Sequence, residues 1–335
     1  MTAMWIGCYT GEMGEGEGVT RVDLSTGRQR VVTGGVPSPS WLVPVGDGVL
    51  AVSESEGGEL TLLGPNGSLA AGRTGAGWPC HAARLTPSLL AVAHYGTGRV
   101  TTVELTDGAP GRVVDEVDLG GLPLGPRADR QDGSHPHQVV LDETRGEVLV
   151  PDLGADVVHR LALREGRLTR GGDVIEVPPG FGPRHLMLAG DLLLVVGELS
   201  SELWLGRWDE AKGWQQLGQR PSLVEPVAPD ESSDEGGANL PSAVRLTDDD
   251  HVLVGNRGAD RVSVFALDRG AGSLTAVRDV PAHGAWPRDL VVDGDDVWVA
   301  CERGHAVTRV RWRGPGAGRL GERIATGSPT AVVLG

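Results

Sequence analysis

The chain has 335 residues with 52 Gly and 22 Pro, together about 22% of the total, and this density of helix interrupters excludes a long-helix protein. Hydrophobic residues make up 39% and no G-x-y period is present, which excludes a disordered or collagen-like chain. The net charge of -15, from 45 acids and 30 bases, is the reverse of what a general nucleic-acid binder carries, so nucleic acid and acidic membranes are not expected partners.

Lys212 is the single lysine, which we read as codon usage. Cys8, Cys80 and Cys301 are an odd number without C-x-x-C spacing, so neither a disulfide framework nor a zinc knuckle is expected. Met1 to Gly18 has no basic segment followed by an apolar stretch, and no run reaches 18 apolar residues. The expectation is a soluble cytoplasmic protein. Its oligomeric state is left open, a monomer being compatible with every feature.

In chain order, Trp5 to Tyr9 and Gly18 to Leu24 are the first β-like runs, separated by the acidic, Gly-rich turn Gly11 to Gly18. A motif then recurs seven times, a Pro followed by one or two small or polar residues and alternating apolar ones. Its copies begin at Pro39, Pro79, Pro136, Pro183, Pro241, Pro287 and Pro329, at intervals of 40, 57, 47, 58, 46 and 42 residues, and the interval from Pro329 through the termini to Pro39 is 45. Each copy leads, after a short turn, into a second apolar run ending in polar residues, such as Val150-Pro-Asp-Leu-Gly or Val254-Gly-Asn-Arg-Gly. Third runs follow at Arg99 to Leu105, Val157 to Leu163, Glu202 to Trp208, Arg261 to Leu267 and Ala306 to Trp312, and weaker fourth runs at Arg112 to Leu119 and Leu274 to Val280. Four short strands per period describe a propeller blade. The expected fold is an all-β, seven-bladed β-propeller over residues 1–335 as one domain. Its last blade takes its first strand from the C-terminus and the rest from the N-terminus, which hides both edges.

In such a blade the residues after the Pro and those closing the second strand share one end of a central channel. The first set gives His81, His137, Arg184, His185, Arg288 and Asp289; the second gives Glu54, His94, Asp152, Glu198, Asn256, Arg257 and Glu302. Converging arginines, imidazoles and carboxylates make that channel mouth the candidate binding site. Glu54, Asp289 and Glu302 read as solvated rim residues, whereas Arg184, His185 and Glu198 read as functional. His135 and His137 form an H-x-H pair, but no third ligand accompanies it, so neither a metal nor a cofactor is expected. Cys80 and Cys301 read as small buried fillers. Leu122 to Ser134, with Arg127 and Arg130, and the acidic, Pro-rich segment Pro221 to Asn239 read as loops over the mouth, the latter as a surface loop rather than a lid.

The segments Gly125 to Asp156, Gly180 to Leu199 and Ser242 to Phe265 carry, in order, R-Q-x-x-S-H-x-H, G-P-R-H, E-L and N-R-G. In these the chain resembles the lactonase family of seven-bladed propellers, which contains propeller-type 6-phosphogluconolactonases and carboxymuconate-cyclising enzymes. The likeness covers nearly the whole chain, although the early blades are shorter and the family's H-P-D/N-G turn is here Leu188-Ala-Gly-Asp or Leu141-Asp-Glu-Thr. The resemblance implies a site on His137, Arg184, Glu198 and Arg257. It implies hydrolysis of a sugar lactone, most simply 6-phosphogluconolactone of the pentose phosphate pathway. Glu198 would be the base, His137 its proton partner, and Arg184 and Arg257 oxyanion or phosphate clamps. His185, Arg288, His81, Asp152 and Asn256 would support the substrate. Two alternatives stay open: a lactonising cycloisomerase acting on a dicarboxylic acid, and a non-catalytic propeller that binds a partner.

Overall fold

The structure, a computed structural model, describes residues 3–33, 35–171, 173–226 and 238–335. The core of the acidic excursion, 227–237, therefore lies outside the described residues. The chain folds as a seven-bladed β-propeller with four-stranded antiparallel blades. The first strands begin at or beside the expected prolines: Pro39–Val45, Pro79–Thr86, Pro183–Ala189, Leu240–Leu246, Pro287–Asp293 and Pro329–Leu334. In the remaining blade the regular strand is only Val140–Asp142, and Pro136 forms an isolated bridge to Asp152. That blade also has an additional short strand, Ile175–Glu176, paired with Val157–Arg164. In the closing blade Pro329–Leu334 pairs with Ala3–Cys8, followed by Val19–Asp23 and Arg28–Thr33. Among the described residues no helix is long and apolar enough to cross a membrane.

Two compact units are distinguished, residues 1–180 with 327–335, and residues 181–326. The first holds four blades and the second three. Within each unit the second strands are buried along their length, as in Leu89–His94 and Leu192–Gly197, because both sheet faces pack against neighbours. Outer strands such as Gly67–Arg73 and Gly213–Pro221 are largely exposed. Apolar clusters fill the space between consecutive blades. One joins Val52, Leu60, Leu90 and Val103; another joins Leu253, Val264, Leu290 and Val299. The β period of two produces this, since alternate residues of each strand serve opposite neighbours.

A polar lock recurs where the second strand turns into the third. His94 bonds Thr101 (3.0 Å), Asp152 bonds His159 (3.0 Å), Asn256 bonds Ser263 (2.9 Å), and Cys301 lies 3.7 Å from Thr308. Each pair is seven residues apart and almost wholly buried. Thr101 and Thr308 pass the bond on to the carbonyls of Thr74 and Ala282 in the loop that enters the blade. Burial holds the His94 imidazole down at about 4, against an ordinary 6.5, so it is neutral in the folded blade. Between pH 6.5 and 4 the unfolded chain therefore binds a proton that the folded blade refuses, and stability falls with pH across that window. The loss should total about 3 kcal/mol, with no contribution above pH 6.5. Denaturant unfolding of wild type and His94→Gln at several pH values checks this: the variant should show a shallower decline, and equal slopes would refute the assignment.

Candidate active site

Each blade proline lies opposite one residue of its second strand: Cys8, Ser53, His94, Asp152, Gly197, Asn256 and Cys301. The residues that follow are Tyr9, Glu54, Tyr95, Leu153, Glu198, Arg257 and Glu302. In five blades the N–H of this following residue donates to the carbonyl just before the proline: Tyr9 to Ser328, Glu54 to Ser38, Leu153 to His135, Glu198 to Gly182 and Glu302 to Trp286 (2.8–3.0 Å). The residue before the proline is left-handed in five blades, at Ser38, Trp78, Gly182, Trp286 and Ser328. A register shift follows the proline in most sheets, as between Pro39 and Trp41, Pro79 and His81, and Pro287 and Asp289. Such bulges redirect side chains, here those of the two residues after the proline.

In the three-bladed unit the bulge residue Arg184 and the strand-end residues Glu198 and Arg257 come together. Glu198 Oε2 forms ion pairs with Arg184 Nε at 2.8 Å and Arg257 Nη2 at 2.7 Å, and all three side chains are buried. Arg257 Nε donates to the Leu240 carbonyl at 3.0 Å, which fixes its plane. The triad carries a net charge of +1 and suits an anion or a developing oxyanion. His185, next to Arg184, is also buried. Arg288 pairs with Glu302 at 3.1 Å, both partly buried. Asp289 is buried, pairs with Arg245 and accepts the Leu290 N–H. Glu302 and Asp289 are thus engaged by arginines and are not the solvated rim residues expected of them.

In the four-bladed unit His81 lies against Trp41 with ring centroids 4.1 Å apart and planes tilted by 33°, and its Nδ1 accepts the Val139 N–H at 3.4 Å. His137 meets Tyr95 edge-on at 5.3 Å and has Cys80 Sγ 3.9 Å from its Nδ1. Tyr9 donates its hydroxyl to Glu54 at 2.8 Å, so Glu54 too has a protein partner. His135 has Tyr95 O and Asp132 on its two ring nitrogens, and among the described residues no group of ligating side chains is arranged for a metal.

Two expected substrate contacts are corrected by the register. Asp152 and Asn256 face the proline rather than follow the residue that does, so they point into the blade. Asp152 accepts from Ser134, His159 and the N–H groups of His135, Gly154 and Ala155. Burial works to raise its pKa, but these bonds outweigh it and hold the carboxyl below the ordinary range. Asn256 is fully buried and bonds Ser222, Asn239, Ser263 and the Val254 carbonyl. Both are spent on the blade. Cys301 is buried, its thiol pushed up to about 12 by burial, which agrees with a filler rather than a nucleophile.

Trp286 was not legible as a site residue. Its ring lies 5.5 Å from the Arg257 guanidinium and 3.5 Å from that of Arg303, and its backbone N–H donates to Asp260 Oδ1 at 2.7 Å. Its signal, in hindsight, is an aromatic residue immediately before a blade proline.

A family model described as lactonase, 7-bladed beta-propeller, matches residues 3–334. A 6-phosphogluconolactonase of Bacillus subtilis (strain 168) is 31% identical over 245 residues, covering 72% of this chain and 65% of that protein, so the match spans just under two thirds of the relative's length. An uncharacterized protein of Staphylococcus aureus (strain USA300) is 27% identical over 344 residues, covering 96% and 95% of the two chains. Among solved structures, the Pseudomonas aeruginosa periplasmic gluconolactonase superposes with a TM-score of 0.81 at 24% identity, covering 99% of this chain and 98% of that one. A Lactobacillus plantarum protein gives 0.83 at 24% identity with the same coverage. At this identity these two likenesses are of fold.

Proposed function

Since the chain belongs to the lactonase family of seven-bladed β-propellers, we propose that it opens a sugar lactone by adding water across the ring ester, with 6-phosphoglucono-1,5-lactone as the preferred substrate. The observation that carries this reading is the buried Glu198 carboxylate held by Arg184 and Arg257 through one oxygen. In the proposed reaction Glu198 takes a proton from the attacking water as its oxygen bonds to the lactone carbonyl carbon. The carbonyl oxygen becomes an oxyanion beside the guanidiniums, and the ring C–O bond then breaks. The departing ring oxygen recovers the proton from Glu198, so lactone plus water gives a hydroxy acid. Arginine suits the oxyanion role because it stays charged and its donors lie in one plane. Similarity to a 6-phosphogluconolactonase of B. subtilis and likeness of fold to a gluconolactonase of P. aeruginosa support lactone chemistry.

The test follows disappearance of 6-phosphogluconolactone, formed in situ, beside unphosphorylated gluconolactone, each corrected for spontaneous opening. The phosphorylated lactone should be opened faster, and Arg184→Ala should lower its turnover about 10²–10³-fold, as loss of an oxyanion donor does. A folded wild-type protein that accelerates neither lactone overturns the reading.

A further inference from the structure

We infer that the groove between the outer strands of two neighbouring blades, Gly213–Pro221 and Ser273–Pro281, binds a small organic acid, Arg220 holding its carboxylate and leucines its aliphatic tail. A cavity of about 220 Å³ lies there, lined by Leu203, Leu205, Leu217, Leu274 and Arg220. All of these residues belong to the unit 181–326. In the blade that carries Glu198 the strands run in the order Pro183–Ala189, Leu192–Gly197, Glu202–Asp209, Gly213–Pro221. The cavity therefore lies at the sheet edge farthest from the channel strand, and the inference goes beyond the lactone reading.

Arg220 is a half-buried cation without a counter-charge. Its Nη1 donates to the Leu274 carbonyl at 2.7 Å, and its guanidinium carbon lies 4.6 Å from the Phe265 ring centroid. Its Nε is enclosed with no hydrogen-bond partner. Burial alone pushes its pKa down, and no acidic neighbour opposes that shift. Acids on nearby strands are engaged elsewhere: Glu202 accepts from Gln219, and Asp279 accepts from Ser263 and the N–H groups of Val224 and Glu225. A planar guanidinium matches a carboxylate in two parallel bonds, and a single negative charge cancels its own. The leucine walls offer apolar surface, which favours a hydrocarbon tail over a sugar. The volume falls below the about 300–1,000 Å³ of drug-sized sites and suits an acid of about six carbons. Gly218 also lines the cavity, and a Cβ there would meet nothing within 4 Å, so the wall is open at this point.

Titration of the full-length protein with butyrate, hexanoate and hexanol, followed by saturation-transfer NMR, tests this without any turnover. Hexanoate should bind saturably, and each methylene beyond butyrate should tighten binding about three- to fourfold. Hexanol, which lacks the charge, should bind about tenfold more weakly or less. Arg220→Gln should weaken hexanoate about 10–100-fold. Gly218→Leu, which fills the cavity and keeps the arginine, should abolish binding while the melting temperature stays unchanged or rises, since glycine weakens a strand. Arg220 also bridges the two blades, so the Gly218→Leu result decides if Arg220→Gln fails to fold. No binding by wild type, equal affinity for hexanol, or unchanged affinity in Gly218→Leu overturns the inference. A short peptide with a free C-terminal leucine that binds more tightly than hexanoate would assign the cavity to chain ends and equally overturn the small-acid reading.

Discussion

Glu198→Gln is expected to lower the turnover of the phosphorylated lactone by about 10²–10⁴-fold, the range for loss of a positioned general base. The amide keeps the shape of the side chain and leaves an oxygen beside Arg184 and Arg257. What changes is the charge: the buried triad goes from +1 to +2. Removing one partner of a buried ion pair costs about 3–5 kcal/mol at full effect, and the isosteric amide should cost less than that. The variant is therefore expected to fold, with a lower melting temperature, and to bind substrate while failing to open it. A Glu198→Gln/Arg184→Ala double variant should be little slower than the worse single one, because groups acting in one step are not additive. Single-turnover and steady-state rates beside thermal melts give all three quantities. Turnover by Glu198→Gln within tenfold of wild type would remove Glu198 from the base role.

The second large effect concerns closure. Deleting residues 329–335 removes the first strand of the closing blade, together with the buried Ala331 and Val332 and the Thr330 hydroxyl that donates to the Gly7 and Pro39 carbonyls. Burial of one valine contributes about 1.5–3 kcal/mol. The deletion also leaves the edge of Ala3–Cys8 unpaired beside the buried Trp5 and Ile6. A loss on the order of 5 kcal/mol or more is expected, comparable with the whole stability of an ordinary domain. The truncated protein should be recovered mainly as aggregate or melt without a cooperative transition, since an open apolar edge invites pairing with other chains. An unchanged melting temperature would show that the closing strand contributes little.

The repeat was legible because proline and strand alternation are local properties. Each Pro fixes where a first strand starts, and six of the seven begin at or within one residue of it. The Glu198–Arg184–Arg257 group was legible because its members occupy repeated positions that strand stability leaves unconstrained. What the sequence concealed was register. Asp152 and Glu198 both end a second strand, yet one sits opposite its blade proline and the other one place beyond, and a single step along a strand reverses the face. Sequence spacing from the Pro could not reveal this, because hairpin lengths and bulges differ between blades. The Tyr9–Glu54 bond and the Arg303–Trp286 stack were hidden for another reason: they join residues distant in sequence or depend on a left-handed backbone that no residue type announces.

The pairing that closes the last blade also decides how the molecule bears load. Met4 lies opposite Leu334, and the Gly335 N–H donates to the Ala3 carbonyl, so the two chain ends leave the same sheet side by side. Antiparallel ladder bonds run across the strands. Tension applied to the two ends would therefore fall on the outermost bond first and on each later one in turn, without the shared resistance of a sheared ladder. A blade that joins the whole fold against heat would part under traction like a zip fastener, from its open end.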